Sequence, residues 1–113
     1  MYKNLEIWKE SIGLIKIIYS IADDLPKSED YNLKSQLKRA VISVALNIAE
    51  GKNRQSAKDF AHFLNLAVAS LCEVEAIISI CEELELLKRN NELHNKISVL
   101  IKRTNSLRTK LTK

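Results

Sequence analysis

Glycine, proline and aromatic residues are scarce in this sequence. Its 113 residues include two Gly and one Pro, and aromatic residues make up 5% of the chain. Because the turns of sheet folds depend on Gly and Pro, this composition argues against a sheet architecture. Two Gly also cannot build the glycine-rich loops that bind nucleotide phosphates. Hydrophobic residues still reach 46%, so the core consists mainly of aliphatic side chains, as in bundles of long helices.

Motifs for catalysis and for metal binding are missing as well. His62 follows Asp59 by three positions, but a di-metal bundle site needs carboxylates from all four helices. Ser43, Ser70 and Cys72 have no evident His partner, so nucleophilic catalysis has no support. His94 is expected at the surface. We therefore expect no enzyme activity, no catalytic residues, no metal and no cofactor.

The two cysteines and the lack of a membrane segment indicate the compartment. Cys72 and Cys81 fall in one predicted helix, roughly 13 Å apart along its axis, whereas a disulfide needs Cα atoms within about 7 Å. Free thiols fit a reducing cytoplasm. The longest uncharged run, Ala40 to Ala49, falls far short of the ~20 apolar residues of a membrane span, and no signal peptide is evident. We expect a cytoplasmic protein with no membrane association.

Hydrophobic periodicity predicts an all-α protein, a single four-helix-bundle domain over residues 1–113. The helices are predicted from about 4 to 24, from a start between 28 and 34 to 50, from 56 to about 87, and from 90 or 91 onward. Because the loops are short, consecutive helices should be antiparallel, which gives an up-down-up-down topology.

Residues with capping preferences define the predicted helix ends. Asn4 is a plausible N-cap of the first helix. Gly51 is predicted to end the second helix as a left-handed C-cap with positive φ. Ser56 and Asp59 form a capping box that opens the third helix, and Asn90 or Asn91 caps the fourth.

The first three predicted helices carry more apolar surface than a lone bundle needs. The second has no charge from Ala40 to Ala49, and the third has only Glu73 and Glu75 as charges between Phe60 and Cys81. A helix in a single bundle needs one apolar face. A generously packed monomer core is one explanation, and a subunit interface is the explanation that we prefer. We expect a homo-oligomer.

The charges are strongly segregated along the chain. Residues 88–113 hold eight Lys/Arg and one Asp/Glu, whereas residues 51–87 hold three and six. In the predicted topology one pole gathers many of the bases, and a nucleic-acid-binding surface is the leading functional interpretation. A solvated face is the alternative. The candidate nucleic-acid-binding residues are Lys52, Arg54, Lys58, Arg103, Arg108 and Lys110.

Two polar rows interrupt the apolar faces of the second and third helices. Such groups among apolar neighbours should be hydrogen-bonded to one another or to a partner. We predict one structural network that fixes the helix register or the turn at residues 51–55, with a ligand site as the alternative. Its predicted members are Arg39, Ser43, Asn47, Glu50, Ser70 and Glu73, with Arg54 joining from the turn.

The stretch from Gln36 to Gly51, followed by Arg54, resembles the bacterial four-helix-bundle proteins encoded in intervening sequences of 23S ribosomal RNA genes. The Asn-Ile-Ala-Glu-Gly segment is its most specific part. Ala69 stands where that family usually has Gly. Further similar positions are Leu5 to Lys9, Pro26, Glu29-Asp30-Tyr31, Leu33 and Ala69 to Glu73.

The resemblance implies an up-down bundle that assembles into a ring, typically a pentamer. It also implies a link to ribosomal RNA genes by location. A related branch accompanies diversity-generating retroelements, where it helps a reverse transcriptase and binds nucleic acid. We therefore expect a ring whose basic pole binds RNA or DNA without strong sequence preference. The alternative is an oligomeric scaffold that binds a protein partner.

Overall fold

The computed structural model describes residues 1–113 and contains helices and no strands. Four α-helices make up most of the chain, and two single 3-10 turns, Tyr2–Asn4 and Lys27–Glu29, precede the first and the second of them. The predicted all-α class and the four-helix count are confirmed. The helices are α1 (Glu6–Ala22), α2 (Leu33–Lys52), α3 (Ala57–Glu83) and α4 (Asn91–Leu111).

Contacts between the helices give the up-down-up-down arrangement. Lys38 near the start of α2 lies over the ring of Tyr19 near the end of α1, 4.7 Å from its centroid. His94 at the start of α4 bonds to Glu75 and Glu82 in the second half of α3. Gly51 near the end of α2 lies close to Phe63 near the start of α3. Each sequential pair is therefore antiparallel. α4 also packs against α1, so the four helices close around one core.

The core is a single cluster of 21 buried residues drawn from all four helices and from Leu25. Leu71 and Val74 in α3 are fully buried, as are Ile18 in α1 and Ile97 in α4. The spacing of three and four residues between such positions places them on one face of each helix. α2 and α3 share the most extensive contact, and among the neighbouring helices α1 and α4 share the least.

Two of the three predicted N-caps are confirmed and one is wrong. The Oγ of Ser56 accepts a hydrogen bond from the backbone N–H of Asp59 at 3.0 Å. Asn90 caps α4 in the same way through Leu93 N–H, at 3.0 Å. Asn4 does not cap α1, because the chain forms a 3-10 turn there and Leu5 precedes the first helical residue without a side-chain cap.

The left-handed C-cap predicted at Gly51 is also wrong. α2 continues to Lys52, and no glycine has positive φ. A Cβ on Gly51 would lie 2.8 Å from the Cβ of Phe63 and 3.2 Å from the carbonyl of Phe60. Gly51 is therefore required by the close approach of α3, because helical backbone geometry by itself accepts any L residue.

A left-handed residue lies instead just after α3, which ends at Glu83, four residues before the predicted limit of 87. Glu85 has φ of 59°, the only positive value in the chain. Leu86 N–H donates to the carbonyl of Cys81 at 2.8 Å, and Glu85 N–H donates to Glu82 at 3.0 Å. These two bonds form a Schellman motif, so the chain turns toward α4 without a glycine.

Apolar side chains remain exposed on the outer side of α2 and α3. Leu46 is 62% exposed and Ile80 is 47% exposed. By length and composition α3 is apolar enough to cross a membrane, although only 33% of that apolar window is buried in the bundle. One such helix is weak evidence for a membrane span, since core helices share this composition. The outer face of α3 is, however, unusually apolar for a surface.

Candidate nucleic-acid interface and polar clusters

One end of the bundle, which we call the basic pole, collects most of the positive charge. It comprises residues 1–10, 50–60 and 100–113, which meet where α1 and α3 begin and where α2 and α4 end. These segments hold ten Lys/Arg and four Asp/Glu, a net charge of +6. Since the whole chain carries +4, the remainder carries −2. All six predicted nucleic-acid-binding residues fall within this pole.

Three of the ten bases are paired with carboxylates. Arg54 bonds to Glu50 at 2.7 Å, and Lys9 lies 3.5 Å from Glu6. Arg103 bonds across helices to Glu10 of α1 at 2.7 Å. The last pair was not predicted, because Arg103 has no acidic neighbour in sequence. The other seven bases have no acidic partner within 4.0 Å: Lys3, Lys52, Lys58, Lys102, Arg108, Lys110 and Lys113.

The corner between α2 and α3 holds two of the cations over aromatic rings. Because Gly51 lacks a side chain, Phe60 and Phe63 approach the end of α2 closely. The guanidinium of Arg54 lies 4.7 Å from the centroid of Phe63, and Lys52 Nζ lies 5.7 Å from that of Phe60. Cation–π attraction and the Glu50 carboxylate therefore orient Arg54, while its side chain stays 44% exposed.

The end of α4 contributes the remaining predicted cations. Lys110 is exposed, and Arg108 donates through Nε to the side chain of Asn105 at 3.2 Å. An open depression of about 330 Å³ lies beside Lys110, and none of the residues that line it is acidic or hydrophobic. They are Asn105, Ser106, Thr109, Lys110 and Lys113. Lys58 is exposed in the first turn of α3.

The single polar network predicted between α2 and α3 is divided in the structure. Ser43 and Ser70 share a hydrogen bond of 2.9 Å between their hydroxyls, and the amide of Asn47 donates to Ser43 Oγ at 3.0 Å. This cluster ties α2 to α3, as predicted. Arg39 and Glu73 are exposed and make no side-chain hydrogen bond.

Glu50 is also outside that cluster, because its carboxylate binds Arg54 at the exposed corner. The prediction that Asn47, Glu50 and Arg54 form one network with Ser70 or Glu73 is therefore wrong for the single chain. The helical spacing identified a shared side of α2. It did not show how far each side chain extends beyond the seam with α3.

The most extensive polar cluster was not predicted. His94, expected at the surface, is 19% exposed in its side chain and lies between two carboxylates. Nδ1 is 2.6 Å from Glu75 Oε1, and Nε2 is 2.8 Å from Glu82 Oε1. Glu82 also accepts the backbone N–H of Asn90 at 3.0 Å. The signal for this cluster was the seven-residue spacing of the two glutamates on one face of α3.

This cluster favours a charged imidazole. Hydrogen bonding to Glu75, opposed by partial burial and reinforced by Glu82, raises the pKa of His94 above its ordinary value of 6.5. Burial works to raise the pKa of Glu82, but hydrogen bonds from His94 and Asn90 outweigh it and lower that pKa from 4.5. Glu75 lies at Nδ1 and Glu82 at Nε2, on opposite sides of the ring. One metal ion could therefore not bind the ring and both carboxylates together. These three side chains, His94, Glu75 and Glu82, join α3 to α4, and we call them the clamp.

The cysteines and the remaining ionisable groups form no recognisable reactive set. Cys81 is buried, and desolvation followed by the charges of Glu29 and Glu82 raises the pKa of its thiol. A raised pKa disfavours the nucleophilic thiolate. Cys72 is exposed on the outer face of α3. No group of His, Cys, Asp and Glu side chains is arranged to hold a metal ion.

The fold and its short loops define the class of this protein, a small all-α four-helix bundle. The chain belongs to the family of 23S rRNA-intervening sequence proteins, which it matches over residues 3–106. It is also similar to a crystal structure of a protein of unknown function from the S23 ribosomal protein family of Bacteroides thetaiotaomicron. The TM-score is 0.82 at 22% identity, over 89% of this chain and 96% of the other. A comparison with curated proteins found no match.

Proposed function

We propose that this protein is a ring-forming homo-oligomer whose basic pole binds RNA or DNA without strong sequence preference. The observation that carries the proposal is the concentration of unpaired cations at one end of the bundle. Seven of the ten bases there lack a carboxylate partner within 4.0 Å. Lysine and arginine side chains without a carboxylate partner can neutralise phosphates. This releases counterions from the nucleic acid, which drives sequence-independent binding.

The aromatic residues at this pole support contact with phosphates rather than with bases. Sequence-tolerant stacking on single strands needs exposed aromatic faces. Phe60 is buried, and the ring of Phe63 is occupied by Arg54. Tyr2 and Trp8 pack against each other edge to face, with centroids 4.7 Å apart. The pole therefore offers charge and hydrogen-bond donors, which position a backbone but do not read its sequence.

Exposed apolar surface supports the oligomeric part of the proposal. Leu46 of α2 and Leu66 and Ile80 of α3 remain exposed in the single chain. Exposed apolar side chains on the outer faces of packed helices are typical of interaction sites in proteins. In a cyclic assembly every basic pole points the same way along the axis. The fields then add on one face, which attracts polyanions more strongly than one subunit does. The number of subunits, five, is taken from the family resemblance and is part of the proposal.

The polar clusters of the bundle fit a binding role better than catalysis. Ser43 and Ser70 bond to each other and make no hydrogen bond to a histidine, and His94 is held on both nitrogens by carboxylates. A general base needs a free nitrogen or oxygen within reach of a substrate proton. We therefore propose binding without chemical turnover, and a location in the cytoplasm.

Salt-dependent binding tests the nucleic-acid role. A labelled 20-nucleotide single-stranded RNA of mixed sequence is titrated with the protein between roughly 50 and 200 mM salt. The test variant is Lys52→Gln/Lys58→Gln/Lys110→Gln, which removes three unpaired cations of the basic pole. The matched control is Lys16→Gln/Lys27→Gln/Lys88→Gln, whose three exposed lysines lie outside that pole and also make no ion pair.

The two variants have the same net charge, so only the position of the change differs between them. We expect the pole variant to flatten the slope of log affinity against log salt by about 2, which is ~0.7 for each phosphate that the protein no longer neutralises. The control should flatten it much less. Wild-type protein that shows no binding at about 50 mM salt would refute the nucleic-acid role. An oligomeric scaffold for a protein partner would then be the better explanation.

A further inference from the structure

The seam between α1 and α4 is an open groove. Its floor is formed by Leu14 and Leu100, which are buried, and its exposed side includes Val99 of α4. The groove has a volume of about 290 Å³. A smaller depression of about 200 Å³ adjoins it and shares Ile17 and Lys96. The other three helix pairs pack more extensively, so this seam is the least filled side of the bundle.

Gly13 lies in the wall of this groove and lowers the stability of α1. Glycine is the poorest helix former after proline, and Gly13 is exposed in the middle of a 17-residue helix. A Cβ on Gly13 would meet nothing within 4 Å. Packing within the chain therefore does not require glycine at this position. A glycine that weakens a helix without any gain in its own chain points to close approach by another molecule.

The outer face of α3 carries an exposed row of apolar and small side chains. Leu66, Ala69, Ala76 and Ile80 recur at helical spacing, and all are exposed. Small residues in the middle of this row, which we call the α3 ridge, allow a neighbouring helix to come close. Glu73 stands at the centre of the ridge, exposed and without an ion-pair partner. The ridge and the groove lie on different sides of the bundle, because α3 packs diagonally from α1.

The unpaired charges of the ridge and the groove are opposite in sign and lie at the same height along the bundle. Glu75 and His94 are in contact across α3 and α4. Glu73 lies two residues from Glu75 toward the basic pole, and Lys96 lies two residues from His94 in the same direction. At 1.5 Å per residue, both are displaced about 3 Å along the bundle. Lys96 is exposed and makes no ion pair.

From these four observations we infer that the α3 ridge of one copy packs into the α1–α4 groove of the next copy. The inference rests on the proposed ring and states which surfaces build it. Glu73 of one subunit then meets Lys96 of its neighbour, because subunits of a cyclic assembly share one height along the axis. Glu10 has one carboxylate oxygen that is buried without a partner beside the groove, and it offers a further acceptor to the neighbour.

Blocking each surface in a separate variant tests the pairing. The ridge variant is Ala69→Glu/Ala76→Glu, and the groove variant is Gly13→Glu/Val99→Glu. All four positions are exposed, so each variant should keep its helical circular dichroism. We expect each variant alone to sediment as a monomer. A mixture should form a 1:1 heterodimer and nothing larger, because only one intact ridge and one intact groove remain per pair.

Charge reversal supplies a second test with smaller changes. Glu73→Lys and Lys96→Glu should each weaken assembly about two- to fivefold, the effect of an exposed ion pair, and the double variant should restore it. If both blocked variants keep the wild-type mass, this pairing of surfaces is wrong while the ring stands. If the wild-type protein is itself monomeric at micromolar concentration, the ring and the pairing both fail, and nucleic-acid binding by the monomer is still measured separately.

Discussion

The charged side chains at the two ends of this bundle differ in whether they have partners within the chain. At the end where α3 meets α4, His94 is held between Glu75 and Glu82 in a partly buried cluster. At the basic pole, most cations are exposed and have no carboxylate partner. In the first arrangement every charged group has a partner inside the chain. The second leaves charge that only an external anion or solvent neutralises.

This difference separates charge that holds the fold from charge that is available for binding. Partly buried, hydrogen-bonded ion pairs contribute to stability, whereas exposed lysines contribute little to it. Substitutions at the clamp should therefore change unfolding and leave polyanion binding unaffected. Substitutions of the exposed cations should do the reverse. The corner around Gly51 contributes both to the stability of the fold and to binding, because its packing positions Lys52 and Arg54 over the two phenylalanine rings.

The largest expected effect is at that corner. Gly51→Val should destabilise the protein by about 3 kcal/mol, because the new side chain collides with Phe63 and with the backbone of Phe60, and overpacking has this magnitude. Urea unfolding measures the effect. Gly51→Ala should show a smaller loss of the same origin. A gain in stability for Gly51→Ala would contradict the close approach of α3.

Gly13 provides the matched control for this prediction. Its Cβ position is open, so Gly13→Ala should stabilise the isolated chain by up to about 1 kcal/mol through helix propensity. The measurement is made at a protein concentration low enough to keep the chain monomeric. Equal effects of alanine at both glycines would show that helix propensity alone governs these positions.

The next largest effect is at the clamp. His94→Gln should destabilise the protein on the order of 2 kcal/mol, because two hydrogen bonds between charged groups are removed and Glu82 is left with fewer donors. His62 is the matched control, since it is exposed and makes no hydrogen bond. His62→Gln should be nearly neutral. Similar losses at the two histidines would contradict a specific role for the clamp.

The pH dependence of this effect has a defined sign. Because folding raises the pKa of His94, its contribution is complete below pH 6.5 and is lost as pH rises through the folded value. Folding lowers the pKa of Glu82, so that contribution is present above pH 4.5 and is lost as pH falls through its folded value. The stability difference between wild type and His94→Gln should therefore be greatest between these two values.

A smaller effect is expected where an aromatic ring supports a cation. Phe63→Leu should weaken RNA binding about two- to fivefold, because it removes an exposed cation–π interaction with Arg54. Tyr19→Leu is the control, since it removes the similar interaction with Lys38 outside the basic pole. Fluorescence anisotropy with the same RNA compares the two. Equal losses in both variants would indicate a general effect on the fold.

The smallest expected effect is a gain at the end of α3. Glu85→Gly should stabilise the protein by about 0.5–1 kcal/mol, because the strain of a left-handed residue exceeds the entropic cost of glycine. Thermal unfolding measures the gain. Glu83→Gly changes the last residue of α3, which has helical φ, and should be destabilising by up to about 1 kcal/mol. A loss at position 85 would mean that the side chain of Glu85 has a role beyond its backbone conformation.

Helix positions and two of the caps were predictable because they depend on local sequence. The apolar spacing of three and four residues is repeated in every helix, and side chains at Ser56 and Asn90 accept hydrogen bonds from residues three positions later. The cap at Glu85 was missed because its left-handed conformation is imposed by the turn into α4. Glutamate has no local preference for that conformation.

The candidate site was predictable only in part. The segregation of lysine and arginine toward the chain end, together with the topology, placed the six predicted bases at one pole. Sequence did not reveal that Arg103 pairs with Glu10, which is 93 positions away. It also did not reveal that Glu73 and Arg39 extend outward while Ser43 and Ser70 meet. Such contacts depend on the rotation of each helix about its axis, and several rotations satisfy the same apolar pattern.

Sequence by itself determined the class of fold, the number of helices and the end of the bundle at which positive charge collects. These follow from periodicity and composition, which act within one or two helical turns. Tertiary structure decided which charges are paired, why Gly51 is a glycine, and where the left-handed residue lies. These depend on distances between helices, and the free energy of a buried contact changes within a few tenths of an ångström.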